Sequence, residues 1–127
     1  MSLAIVANFR DEAQYLPEWI EFHKLMGVSK FYLREHVSTE GPKVLSQYID
    51  QGLVVYTHDS IETNFNPPSR KNEGRTVARA RDYKNKTIKS CPENWVLSID
   101  VDEFVYPTNL KHNTIIDYIN TIPSNIF

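Results

Sequence analysis

Apolar and polar positions alternate along the chain in blocks that switch between strand and helix periodicity. Ala4 to Phe9, with Leu3 at its margin, is a short continuous apolar run, the pattern of a buried strand. Arg10-Asp11-Glu12 follows at its carboxyl end. Tyr15, Leu16, Trp19, Ile20, Phe22, His23 and Met26 then recur at helical spacing, while Pro17, Glu18, Glu21 and Lys24 take the other face. Pro17 suits a first helical turn and Gly27 the stop. Val28 to Leu33 predicts a second strand, and Arg34 to Gly41 a polar turn. Pro42, Val44, Leu45, Tyr48 and Ile49 mark a second helix, ended by Gly52 before a third strand over Leu53 to Thr57.

From His58 to Gly74 the pattern breaks. The stretch is polar, carries Pro67-Pro68 and reads as a long connection, functional or mobile. Arg75 to Cys91 predicts a weakly amphipathic helix stopped by Pro92. Trp95 to Ile99 is a fourth strand. Ile115, Ile116, Ile119 and Ile122 form a last helical stripe before Pro123. Strands alternating with helices predict an α/β fold with right-handed crossovers and a mainly parallel sheet. With no internal repeat and no linker, residues 1–127 read as one domain. Asn125-Ile126-Phe127 resembles the start of a further element, so the fold is expected to be truncated here.

Composition narrows the function. At 127 residues and 41% hydrophobic, the chain can bury a core and is neither disordered nor fibrous. A formal charge of -2 argues against nucleic-acid binding driven by excess positive charge. A single cysteine, Cys91, excludes a disulfide framework and a multi-cysteine zinc site. No apolar run is long enough to cross a membrane and no signal peptide is visible, so a cytoplasmic location is expected.

The sharpest chemical signal is Asp100-Val101-Asp102-Glu103, directly after an apolar strand. In open parallel sheets ligands bind outside the carboxyl ends of the strands. Two aspartates at i and i+2 can reach one cation, and few, hard oxygen ligands suit Mg²⁺ or Mn²⁺. A polar turn capping a strand is the plainer alternative. An EF-hand does not fit, because its Gly and Glu positions hold Val105 and Lys111. A haloacid-dehalogenase phosphatase places its Asp-x-Asp near the N-terminus. Tandem carboxylates also fit a glycosidase pair poorly.

Charge placement adds a second signal. Eight of the 14 Lys and Arg residues lie between Arg70 and Lys89, and Arg75, Arg79, Asp82 and Lys86 share one helical stripe. Arg75 and Arg79, in the first turns of the predicted helix, suit an anionic group, whereas the lysines read as a solvated face. Arg10, Asp11 and Glu12 after strand one, and Glu35 and His36 after strand two, fall on the same sheet edge as Asp100 and Asp102. Together they suggest a cleft. His23 reads as a hydrogen-bonded core residue; His36, His58 and His112 have no metal-ligand spacing. No glycine-rich phosphate loop is present.

The segment Arg10-Asp11-Glu12-Ala13-Gln14-Tyr15-Leu16-Pro17-Glu18-Trp19-Ile20-Glu21-Phe22-His23 resembles the opening of glycosyltransferase family 92 and its bacterial relatives. Leu25-Met26-Gly27-Val28, Phe31-Tyr32-Leu33 and Tyr48-Ile49-Asp50-Gln51-Gly52-Leu53-Val54 fit the strands and helix that follow, and Ile99-Asp100-Val101-Asp102-Glu103-Phe104 matches the Asp-x-Asp signature. The resemblance implies a Rossmann-like GT-A fold that binds a nucleotide-sugar donor and transfers its sugar, with inversion, to a hydroxyl of a glycan or other acceptor. It implies that Asp102 ligates Mn²⁺ or Mg²⁺ and that Asp100 touches the metal shell or the ribose. Arg10, Asp11 and Glu12 would line the nucleotide pocket, with Glu35, Arg75, Arg79, Asp82 and Glu103 as further donor-site residues. Arg81-Asp82 stands where relatives often carry Asn-Asp, Glu35-His36 where they carry Asp-Asn, and Asp11 where they carry Asn. The GT-A fold generally needs about twice this length, with acceptor site and catalytic base in its second half. The expectation is therefore a donor-binding portion with no assignable base, itself inactive if the rest is missing. The rival is a non-catalytic nucleotide-binding or assembly module of the same fold. A nucleotidyltransferase would need the missing glycine-rich loop.

Overall fold

The computed structural model describes residues 2–60, 70–108 and 111–122, with side chains for all of these except 70–77. Four strands, β1 (Leu3–Phe9), β2 (Lys30–His36), β3 (Val54–Asp59) and β4 (Trp95–Ser98), form one sheet in the order β3-β2-β1-β4. Every neighbouring pair is parallel. The helices are α1 (Leu16–Leu25), entered through a 3-10 turn at Ala13–Tyr15, α2 (Gly41–Asp50), α3 (Arg70–Ser90) and the short α4 (Ile115–Ile119). The fold is α/β and Rossmann-like.

Handedness explains the layering. The connections β1-α1-β2 and β2-α2-β3 step the same way across the sheet, so right-handed crossovers put α1 and α2 on one face. The third connection steps back past β1 to β4, which puts α3 on the other face. The two faces differ in chemistry. Leu3, Ile5, Ala7, Phe9, Phe31 and Leu33 point towards α1 and α2 and join Leu16, Trp19, Ile20, Leu45 and Tyr48 in the core. The alternate residues facing α3 include Asn8, Arg34 and Asp59, and the hydrogen bonds of these three run to one another and to α3. Among the described side chains of α3 only Thr87 is buried.

The first helix begins and ends where Pro17 and Gly27 suggest. Gly27 has φ +98, and a Cβ there would clash with the Ile116 side chain, so glycine is needed both for the turn and for docking α4. Tyr15, expected on the apolar face, is 57% exposed because it belongs to the 3-10 turn.

Three boundaries differ from expectation, each where polar residues that read as a turn or loop continue a regular element. Arg34, Glu35 and His36 continue β2 instead of opening a loop, and all three are buried. His58 and Asp59 continue β3. The third helix starts at Arg70, not Arg75, which shortens the expected connection. What remains of that connection, residues 61–69, lies outside the described residues, and with it the expectation of a mobile segment. Ile122 lies beyond the end of α4.

Candidate functional site at the carboxyl edge of the sheet

Because all four strands are parallel, their carboxyl ends share one edge. The direction of strand succession reverses between β1 and β4, and this is where open α/β sheets leave a crevice. The residues after β1 are Arg10, Asp11 and Glu12; those after β4 are Ile99 and the Asp100–Glu103 turn.

The turn is built around its middle residue. Val101 is 2% exposed and anchored in the core, so the carboxylates on either side, Asp100 and Asp102, are both turned out to solvent. The Glu103 N–H donates to the Asp100 carbonyl at 3.0 Å, and the Asp100 N–H donates to Glu103 Oε1 at 2.7 Å. Glu103 is thus folded back over the turn. Across the crevice Glu12, half-buried, feels the acids. Its pKa is raised, mainly by burial and further by the negative charges of Asp102, Asp100 and Asp11, against one stabilising N–H from Arg10. Arg10 forms a loose, exposed pair with Asp11 at 3.7 Å. Negative charge therefore gathers around Glu12 at the edge where the sheet changes direction.

Residues 3–126 match the profile of glycosyltransferase family 92. The chain belongs to glycosyltransferase family 92. No curated protein matches it. Membership supports a glycosyltransferase, with a nucleotide-sugar donor and an acceptor as its substrate classes. Among the described residues no helix is long and apolar enough to cross a membrane.

On this family 92 chain the expected site residues fall into two groups. Arg10, Asp11, Glu12, Asp100, Asp102 and Glu103 gather at the β1/β4 crevice. Glu35 lies on β2 and Arg79 and Asp82 on α3, and the Arg75 side chain is outside the described residues. Glu35 is fully buried. Its carboxylate accepts from Ser38 Oγ (2.8 Å), the Glu40 and Gly41 N–H groups and Tyr56 Oη (2.6 Å). It caps the N-terminus of α2, and a ligand could reach it only by displacing those donors. Gly41 permits this approach, since a Cβ there would lie 2.7 Å from Glu35 Oε1.

Arg79 leads to a residue that sequence reasoning missed. Its guanidinium grips Asp59 with two bonds of 2.9 Å, and Arg34 Nη2 donates to the same carboxylate at 2.6 Å. Arg34 also donates to Asn8 Oδ1 at 2.9 Å, and Asn8 Nδ2 donates to the Ala80 carbonyl at 3.4 Å. The pairing favours the charged guanidinium and raises the pKa of Arg79. Arg79, Asp82, Tyr83 and Lys86 line an open cleft of about 420 Å³ together with Thr57 and His58. The Tyr83 hydroxyl is buried beside Thr57 and Thr87 without meeting hydrogen-bond geometry with either, and burial pushes its pKa up to about 12. Asp59 was read as loop; the one available signal was its place two residues beyond Thr57, in phase with the strand.

Among the described residues no group of three or more His, Cys, Asp or Glu side chains is placed to hold a metal ion.

Proposed function

We propose that the chain is the donor-binding portion of a metal-dependent GT-A glycosyltransferase. The carrying observation is the convergence at the switch point. Two outward aspartates on a core-anchored turn face Glu12 across the crevice where α/β folds bind nucleotides. In this reading Asp102 and Asp100 hold Mn²⁺ or Mg²⁺. The cation supplies Lewis-acid neutralisation of the departing nucleoside diphosphate. Arg10, Asp11 and Glu12 line the nucleotide, and Arg79 and Asp82, with Arg75, present the α3 side of the pocket. Glu103 keeps the turn in shape. The acceptor and the base that deprotonates its hydroxyl are left unassigned.

The rival, a non-catalytic module of the same fold, draws on one observation. At the end of β2, Glu35 and His36 are buried, so this strand offers the nucleotide no free carboxylate from that pair.

The test is calorimetric titration of UDP and GDP with and without Mn²⁺ on the full-length protein. Asp102→Asn keeps the shape and removes the charge. Metal-dependent binding is expected to weaken at least tenfold, about 1.4 kcal/mol. Asp100→Asn is expected to have a similar or smaller effect, and Asp50→Asn, at the C-terminal end of α2, none. Equal nucleotide binding in all variants without metal would reduce Asp100-Val101-Asp102 to a strand-end turn.

A further inference from the structure

The residues that follow β4 are tied to α1 by bonds that neither helix formation nor sheet formation requires. Trp19 is fully buried, and its Nε1–H donates to the Glu103 carbonyl at 2.8 Å. One turn later, His23 is also fully buried. Its Nδ1 lies 2.9 Å from the Trp19 carbonyl, which can only accept, so Nδ1 carries the proton. Nε2 is then a bare acceptor, and the Val105 N–H donates to it at 3.2 Å. The His23 ring stacks on Phe104 with centroids 5.7 Å apart, and Phe22 meets Phe104 edge-on at 5.1 Å. The backbone from Glu103 to Val105 is therefore held at two points and clamped between them. On its other side, Glu103 locks the turn through the Asp100 N–H.

We propose that Trp19, His23 and Glu103 are positioning residues that pre-form the Asp100–Asp102 turn for its cation, making the helix and the acidic turn one mechanical unit. This rests on the reading of Asp100 and Asp102 as cation ligands. The physical reason is preorganisation. Two exposed carboxylates repel each other and would splay on a free loop, so a turn that must present both needs its backbone fixed from behind. Val101 in the core supplies one anchor, and Trp19 and His23 supply the next two. It also explains why a helix motif and an acidic motif some 80 positions apart occur together: each is half of one structure.

The experiment compares Trp19→Phe, His23→Phe and Glu103→Ala with Leu45→Ala. The last disturbs the same core without touching the turn and serves as a control for lost stability. His23→Gln and Glu103→Gln are the rescue variants, since each offers an acceptor oxygen in place of the lost acceptor, His23 Nε2 or Glu103 Oε1. Two readouts are taken under conditions where every variant is folded: calorimetric affinity for Mn²⁺ with UDP or GDP, and amide hydrogen exchange of Asp100 and Val105 without metal. The three test variants are expected to lose at least fivefold in metal-dependent affinity and to exchange these amides at least tenfold faster than Leu45→Ala. The rescue variants are expected to lie closer to wild type. Exchange and affinity no different from Leu45→Ala would overturn the proposal. If instead Asp102→Asn binds as wild type does, the cation reading fails by itself, and the exchange measurement still decides whether Trp19, His23 and Glu103 hold the turn.

Discussion

Two polar clusters sit at the carboxyl edge of the same sheet, and they are built on opposite principles. Around β2 and β3 every buried charge is answered. Glu35 is enclosed by four donors, and Asp59 lies between Arg34 and Arg79. Around the β1/β4 crevice, the charges of Asp102, Asp100 and Asp11 add to burial in raising the cost of ionising Glu12, and Arg10 forms a loose pair with Asp11. Charge that is balanced internally holds the fold together. Charge left in excess is what a cation or a cationic ligand group can stabilise. The contrast separates structural acids from candidate ligands more sharply than their spacing does.

The comparison breaks first at Asp59. The Arg34 side chain is 5% exposed and the Asp59 side chain 12%. Asp59→Asn leaves a buried guanidinium without its counter-charge, the situation in which breaking a pair costs about 3–5 kcal/mol. Because α3 has few buried apolar side chains among its described residues, its register against β2 and β3 depends on this joint. Urea unfolding is expected to show a loss of about 3 kcal/mol, and the double variant Asp59→Asn with Arg34→Met should recover part of it. A loss below about 1 kcal/mol would show that the balanced cluster is less dry than its geometry implies.

That joint also shows what sequence could and could not reveal. Apolar periodicity located β1, α1, α2 and the start of β4 because those elements bury one continuous face. It could not follow β2 through Arg34-Glu35-His36 or β3 through His58-Asp59. A polar residue inside a sheet is identical in sequence to one in a turn, and only its partners distinguish them. Those partners, Asn8, Ser38, Gly41, Tyr56 and Arg79, are scattered over some 70 positions. The acidic turn was legible because its carboxylates adjoin an apolar strand. The buried state of Glu35 was not. His23 was legible as a hydrogen-bonded core residue; its partner at Val105 was not.

A smaller effect is expected at Val37, where the balanced cluster stores strain. Val37 has φ +65, rare for a β-branched residue, and the Ser38 N–H reaches back to the His36 carbonyl at 2.8 Å, closing a tight three-residue turn. The Val37 N–H donates to the Asp59 carbonyl at 2.8 Å, and its own carbonyl lies 3.0 Å from His58 Nε2. The Ser38 hydroxyl then accepts from the N–H of Asp11, the other non-glycine residue of positive φ among the described residues, at 3.2 Å. Val37→Gly relieves about 1–2 kcal/mol of backbone strain and adds about 0.5–1 kcal/mol of unfolded-state entropy. A net gain of up to about 1 kcal/mol is expected in thermal or urea unfolding. A clear loss would mean that the valine side chain, not the backbone, holds the turn.

The smallest effect has the opposite sign to that at Asp59 and tests the other half of the contrast. Glu12→Gln removes one charge from the unbalanced crevice while keeping the side chain's shape. The raised pKa of Glu12 means that the native state binds its proton more tightly than the unfolded chain does. The stabilising effect of that proton is complete below the ordinary carboxylate value and is lost as pH rises through the folded pKa. At pH 7 the native protein carries the full repulsion, so Glu12→Gln is expected to be more stable than wild type by a few tenths of a kcal/mol, the range of partly exposed substitutions. The advantage should shrink as pH falls towards about 4.5, where wild type gains the proton that the glutamine replaces. It should also shrink in 1 M salt, which screens the charge–charge part of the effect. Urea unfolding at pH 7 and pH 4.5, at low and high salt, measures all three. If Glu12→Gln destabilises at pH 7 as Asp59→Asn does, Glu12 is answered by a partner after all. The crevice would then belong with the balanced cluster, not with the candidate cation site.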